Sequence, residues 1–237
     1  MSHLTRIRLN PARARRLTAA PQRLHAAVAA AFPPPPADEN PTHRVLWRLD
    51  ETTVPHRQET LLIVSSTPPD LTHVVEQVGW PALATIESPG WETRPYSPAL
   101  QRLTPGMLLR FRLTANPTRS TSRPGQRGQR TSHTTTTHQL RWLLDRAAKA
   151  GFSIPVQPHL SNPQAPEHHQ VSVLATRRLD FARQPGDRSR VQLTAVTYEG
   201  HLEVTEPDLL SHTLTHGIGH GKAYGCGLMT IAPQQPR

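Results

Sequence analysis

The sequence predicts an α+β protein built from two consecutive β-α-β-β-α-β units, and three observations carry that expectation. The length of 237 residues exceeds one compact unit and suits two of about 100 residues each. Short runs of alternating apolar and polar residues are interleaved with stretches of helical period, in the same order in each half. The single cysteine, Cys226, excludes an internal disulfide framework and a multi-cysteine zinc site, so apolar cores must hold the fold. The 25 prolines, about twice the average share of roughly 5%, point to long loops between the elements.

In the first half, Thr5, Ile7 and Leu9 alternate with Arg6 and Arg8 and predict a strand over residues 4–9. A helix follows over residues 21–32, with proline in its first turn and Leu24, Val28, Ala31 and Phe32 at helical spacing. The proline run at 33–36 ends it. Val45, Trp47 and Leu49 alternate with Arg44 and Arg48, and residues 61–64 form an apolar run, so two strands are expected here. Residues 70–78 suit a helix capped by Asp70, with Leu71, Val74, Val75 and Val78 on one face and Gly79 as its stop. A last strand is expected near 83–87 or 93–96.

The second half repeats the order. Residues 107–115 read as a strand, and residues 116–137, rich in Arg, Gly, Ser and Thr, as a long loop with neither period. Residues 139–150 predict a helix with Leu140, Leu143, Leu144 and Ala147 inward and Gly151 just past its end. Strands fit 171–181, 190–198 and 201–204, with turns at Pro185-Gly186-Asp187 and Glu199-Gly200. Thr205 caps a helix whose apolar positions are Leu209, Leu210 and Leu214 and whose stop is Gly217; a closing strand runs over 225–232. This order in each half is that of the ferredoxin-like fold. Two tandem ferredoxin-like (RRM-like) domains are therefore expected, over 1–97 and 98–237.

Charge points to the partner. The chain carries a net +10, placed unevenly. Residues 1–36 hold six arginines and no acid, and residues 93–144 hold nine arginines and no acid, while nine acids fall within 37–92. Basic blocks cleared of acids are what a polyanion-binding surface requires, because each neutralised phosphate releases counterions. A GC-rich genome would explain arginine over lysine, 25 against 2, but not the missing acids. With 4 Phe, 4 Trp and 3 Tyr and no paired aromatic signature, recognition of a duplex stem by shape and phosphate is expected over base stacking. No apolar run approaches the roughly 18 residues of a membrane span, and charges occupy the N-terminus where a signal peptide needs its apolar core. No membrane partner and a cytoplasmic location are expected.

The chain ends in Gly217-Ile218-Gly219-His220-Gly221-Lys222-Ala223-Tyr224-Gly225-Cys226-Gly227-Leu228. Glycines at this density bring the backbone close to something, and exposed backbone N–H groups suit phosphate oxygens; tight packing is the plainer alternative. His212, His216 and His220 recur every fourth residue, but the helix stop at Gly217 takes His220 off their face, so no metal and no cofactor are expected.

This glycine-rich loop resembles the C-terminal loop of the CRISPR repeat-RNA endoribonucleases, the CasE group of type I-E systems. The resemblance extends to Leu4-Thr5-Arg6, Leu9-Asn10-Pro11, Leu46-Trp47-Arg48-Leu49, Leu109-Arg110-Phe111-Arg112-Leu113, Ala115-Asn116-Pro117 and Tyr198-Glu199-Gly200-His201-Leu202, in the family's order nearly end to end. It implies two ferredoxin-like domains. It also implies metal-independent cleavage of repeat RNA at the base of a hairpin, by attack of a ribose 2′-OH on the adjacent phosphate, and retention on the product with other Cascade subunits as partners. A noncatalytic RNA-hairpin-binding subunit on the same fold is the rival reading.

His25 stands where the family carries its catalytic histidine, and imidazole is the side chain poised for proton transfer near neutral pH. Relatives carry tyrosine three residues earlier, where this chain has Gln22; Arg23 or Lys222 is expected to supply cationic support. The expected RNA contacts are Arg13, Arg15 and Arg16 near the N-terminus, Arg110 and Arg112 on a strand, and Arg119, Arg123, Arg127 and Arg130 as a basic strip. Arg177 and Arg178 on the long hairpin and Gly217, Gly219, His220, Gly221 and Lys222 in the terminal loop complete the set.

Overall fold

A computed structural model describes residues 1–34, 45–52, 57–121, 129–157, 168–182 and 190–234. The first half runs β1 (His3–Leu9), α1 (Pro11–Thr18), α2 (Pro21–Ala29), β2 (Leu46–Thr52), β3 (Gln58–Ser65), α3 (Thr72–Val78), β4 (Trp91–Pro95) and a short α4 (Ser97–Leu100). Its strands form one antiparallel sheet in the order β2-β3-β1-β4. The second half runs β5 (Leu108–Ala115), β6 (Thr118–Thr121), β7 (Gln129–Ser132), α5 (Thr136–Ala147), β8 (Phe152–Ser153), β9 (Val156–Gln157), β10 (His168–His169), β11 (Val171–Ala182), β12 (Arg190–Val204), α6 (Pro207–His216) and β13 (Met229–Pro233). Its main antiparallel sheet has the order β11-β12-β5-β13, with β8 added on β12. In each sheet the first strand of its half lies between the third and the last, with the second at an edge.

Several sequence expectations are corrected. Helix α1 is an addition to the expected order: Asn10 caps it by accepting from the Ala12 N–H, and Pro11 opens it, yet its arginine-rich sequence buries only Ala14 and so lacks an apolar stripe. Of the two places for the fourth strand, Trp91–Pro95 forms it, whereas Pro81–Leu83 is a 3₁₀ turn. Glu199-Gly200 is no turn, because β12 continues straight through it. Gly200 is needed for a different reason: a Cβ there would overlap the Gln170 carbonyl oxygen beside the neighbouring strand.

The stretch 116–137 is not structureless, since β6 and β7 pair as a two-stranded ribbon; polar strands without a buried face carry no alternating signal. Glu206, not Thr205, stands at the N-cap of α6, with Pro207 its first helical residue, and Leu209 points outward while Leu210 and Leu214 are buried. The closing strand starts at Met229 because the glycine loop continues through Gly227. The turn expected at 185–187 lies outside the described residues. Among the described residues no helix is long and apolar enough to cross a membrane.

Two cores form. Helices α1 to α3 cover one face of the first sheet, burying Ile7, Leu9, Leu24, Val28, Leu61, Ile63 and Val74. The second core gathers Phe111, Leu113, Leu143, Phe152, Tyr198 and Leu214, and it also takes in Leu46 and Val64 from the other face of the first sheet. The two halves therefore share apolar surface. Arg48, on that same face, reaches across the junction: its guanidinium donates to the main-chain oxygens of Arg112 and Leu228 at 2.6 and 3.1 Å.

Candidate active site

Helix α2 places the first candidate side chains. Leu24 and Val28, four residues apart, turn one face into the core, which leaves Arg23 and His25 on the exposed side. Gln22 sits in the first turn, with its amide oxygen buried and no donor to it among the described residues. The Arg23 guanidinium is tied back to the main-chain oxygen of Arg16 at 3.2 Å. On α1, Arg15 and Arg16 are exposed, and Arg13 donates to the Glu76 carbonyl oxygen on α3 at 2.5 Å.

The glycine-rich loop arrives at α2 from the other end of the chain. Lys222–Tyr224 forms a 3₁₀ turn between Gly221 and Gly225, both left-handed with φ of 83° and 79°. The turn packs on α2 and β2. Its tyrosine meets His25: the ring centroids of Tyr224 and His25 are 6.0 Å apart at 63°, an edge-on contact. Lys222 donates to the His216 carbonyl oxygen at 2.5 Å, at the C-terminus of α6. Glycine is required along the loop by both conformation and space. A Cβ on Gly219 would lie 3.0 Å from the Trp142 ring, and one on Gly225 would lie 2.6 Å from the Trp47 ring.

Gly225→Ala is therefore expected to lower unfolding stability by about 2–5 kcal/mol. The left-handed conformation costs an L-residue about 1–2 kcal/mol, and overlap with a buried ring about 1–3 kcal/mol. Urea titration of the purified variant checks this.

A cleft of about 400 Å³ lies between the two halves. Thr18, Pro21, Leu24 and Trp47 line one side, Arg112, Arg177, Ala195 and Thr197 the other, and Tyr224 and Gly225 its end. Ion pairs cross and floor it. Arg177 of β11 meets Glu51 of β2 at 2.7 Å, and Arg112 meets Glu199 at 2.5 Å and Asp50 at 3.8 Å. Arg110 joins Glu199 at 3.3 Å. Burial alone would raise the Glu199 pKa, yet hydrogen bonds from Arg112 and Arg110 outweigh it and hold the carboxyl below the usual carboxylate range. The strand arginines read as RNA contacts from sequence are thus partly engaged by carboxylates, and only the tertiary pairing reveals it. Arg178, next to Arg177, is exposed.

Further basic residues lie beside the loop. Arg119 and Arg130 are exposed on the β6/β7 ribbon, near the bridge between Asn116 and His220. Asn116 braces this corner, its side-chain oxygen accepting from the Thr194 N–H at 3.2 Å. Burial, with Arg130, Arg146 and Lys222 nearby, lowers the pKa of His220 below the ordinary imidazole value. Arg123 and Arg127 lie outside the described residues. His212 and His216 stack at 4.0 Å on α6 while His220 lies off that helix. Cys226 is fully buried, which pushes its thiol up to about 12.

The structure thus brings the helix of His25, Gln22 and Arg23 together with the loop that carries Gly217 to Lys222, and sets the Arg119/Arg130 ribbon beside the His220 part of that loop. Sequence reasoning missed Tyr224, although the residue stood inside the loop it singled out. Periodicity reports which face of an element is buried, not which distant side chain meets it.

A family described as CRISPR associated protein matches residues 2–233. The chain is 34% identical over 234 residues to the CRISPR-associated endoribonuclease Cse3 of Thermus thermophilus, covering 97% of this chain and 99% of that protein. A structure of CRISPR endoribonuclease Cse3 bound to a 19-nucleotide RNA superposes with a TM-score of 0.70 at 31% identity, over 98% of this chain and 99% of the other. A structure of Thermus thermophilus Cse3 bound to an RNA representing a pre-cleavage complex gives a TM-score of 0.72 at 30% identity, with the same coverage.

Proposed function

The chain belongs to the CRISPR-associated protein family, and from that premise we propose that it is an endoribonuclease that cuts CRISPR precursor RNA at the base of repeat hairpins. The observation that carries the reading is His25: an exposed imidazole on α2, beside a glycine-rich loop that is delivered to it from the far end of the chain. We read each half as a ferredoxin-like domain, over 1–97 and 98–237; the identical strand order of the two sheets supports this.

In the proposed reaction the ribose 2′-oxygen attacks the adjacent phosphorus as its proton leaves, and the bond from phosphorus to the 5′-oxygen breaks. The products are a 2′,3′-cyclic phosphate and a 5′-OH. His25 moves a proton on one side of this exchange, and no metal is required. Arg23 and the loop N–H groups around Lys222 stabilise charge on the phosphorane. Gln22 supplies a hydrogen bond but no proton at neutral pH. The RNA lies along α1, the β11–β12 hairpin and the ribbon, and the product stays bound as the hairpin-holding part of a Cascade-like complex. Gln22, with its unpartnered buried oxygen in place of a tyrosine, favours one second reading, a noncatalytic RNA-hairpin-binding subunit.

Incubation of the purified protein with its own repeat RNA in chelator, with both new ends mapped, separates the two. Endoribonuclease action yields a cyclic phosphate and a 5′-OH at one position; a binding subunit leaves the RNA intact. Affinity is set elsewhere. Replacing Arg119, Arg123, Arg127 and Arg130 by Ala is expected to weaken binding and to reduce the slope of log affinity against log salt by about 0.7–0.9 for each phosphate that is no longer neutralised. Filter binding over a salt series measures it, and an unchanged slope assigns the strip to solvent.

A further inference from the structure

We infer that Tyr224 is a positioning residue for His25, and that Phe181 of the β11–β12 hairpin holds Tyr224 in turn. The inference rests on the endoribonuclease reading. His25 is exposed on α2, and among the described residues its imidazole makes no hydrogen bond; what meets it is the edge-on ring of Tyr224. A lone surface imidazole samples several rotamers, whereas proton transfer needs one of its nitrogens aimed at a single oxygen. A misplacement of about 1 Å costs on the order of 10²-fold in rate. A ring against the imidazole narrows that sampling.

Tyr224 is itself held on both sides. Its turn is bracketed by left-handed glycines, with Gly225 closed against Trp47. On the other side Phe181 meets the tyrosine ring at 4.9 Å and 71°, within a small apolar cluster that includes Leu193 and Cys226. Three rings from three separate elements, the hairpin, the loop and α2, thus run Phe181–Tyr224–His25. The hairpin exposes Arg177 and Arg178 to an RNA stem, so the surface that would take the stem is linked by packed rings to the group that would cut it.

Single-turnover cleavage at saturating protein, filter binding, and the imidazole Cε1–H resonance of His25 in the RNA-free protein, assigned by its loss in His25→Gln, test this together. Tyr224→Phe keeps the ring and is expected to cleave within about twofold of the parent with the His25 resonance in place. Tyr224→Leu is expected to lower the rate about tenfold or more with RNA affinity unchanged, and to move the resonance as the ring-current shift disappears. Phe181→Leu is expected to slow cleavage in the parent and to add little in the Tyr224→Leu background, because it acts through Tyr224. Parent-like cleavage by Tyr224→Leu, an unmoved resonance, or a Tyr224→Phe variant as slow as Tyr224→Leu overturns the inference. Should Tyr224→Leu not fold, the rates of Phe181→Leu and Tyr224→Phe against the parent decide it: a parent-like Phe181→Leu, or a Tyr224→Phe about tenfold slower than the parent, overturns the inference. His25→Ala in parallel keeps the two readings apart: undiminished cleavage by that variant defeats the role of His25, whereas its loss alongside parent-like Tyr224→Leu defeats only the positioning.

Discussion

His25→Ala lowers the single-turnover rate of repeat-RNA cleavage by roughly 10² to 10⁴-fold and leaves RNA affinity within about twofold. The magnitude is that of removing one positioned proton-transfer group, which acts on the transition state and not on the bound ground state. Affinity is expected to survive because the proposed phosphate contacts belong to other residues, among them Arg15 and Arg16 on α1 and Arg119 and Arg130 on the ribbon, all exposed. The imidazole is also exposed on α2, so truncating it opens no cavity and leaves Leu24 and Val28 buried as before. Single-turnover kinetics and filter binding on the same preparation separate the two effects. A mutant that cuts at the parent rate would place the chemistry on another residue.

Arg48→Ala lowers unfolding stability by about 3–5 kcal/mol, the usual cost of breaking a buried ion pair by removing one partner. For a chain of this size that corresponds to a fall in Tm of roughly 6–20 °C. The Arg48 side chain is 2% exposed, and its guanidinium has five N–H donors, all of them used. Two bind the Asp50 carboxylate at 2.7 and 2.8 Å, two the carbonyl oxygens of Arg112 and Leu228, and one the Thr230 hydroxyl at 2.7 Å. The group therefore ties β2 of the first half to β5 and β13 of the second. Removing it leaves Asp50 with only the longer contact to Arg112 and takes a donor from two carbonyl oxygens in a poorly hydrated junction. Arg48→Lys, with three donors on a flexible stem, is expected to recover only part of the loss. Thermal unfolding followed by circular dichroism reads both variants, and a fall of less than about 2 °C for Arg48→Ala would show that the junction holds without this clamp.

Much of the architecture is legible locally. The alternation of Thr5, Ile7 and Leu9 and the helical spacing of Leu24 and Val28 report a buried face, and each of these residues is buried where the period puts it. The order of elements in the two halves, the glycine-rich loop and the placement of His25 on an early helix follow from composition, spacing and family resemblance. The errors fall where period carries no information. Helix α1 has no apolar stripe, the ribbon has no buried face, and Gly200 serves a close approach of strands in place of a turn.

Legible in the sequence alone are most of the strands and helices, the family they resemble, and where the chain keeps its positive charge. Only the tertiary structure decided what those segments meet. It put Glu199 between Arg110 and Arg112, buried the charge of Arg48 at the junction of two sheets, and set Tyr224 against His25 from the opposite end of the chain. Each of these contacts joins residues far apart in the sequence, and each depends on how two independently patterned surfaces dock. The repeat of an amphipathic segment encodes that it will bury one face; the identity of the partner is set by the shape and charge of the surface it meets, which no local period contains.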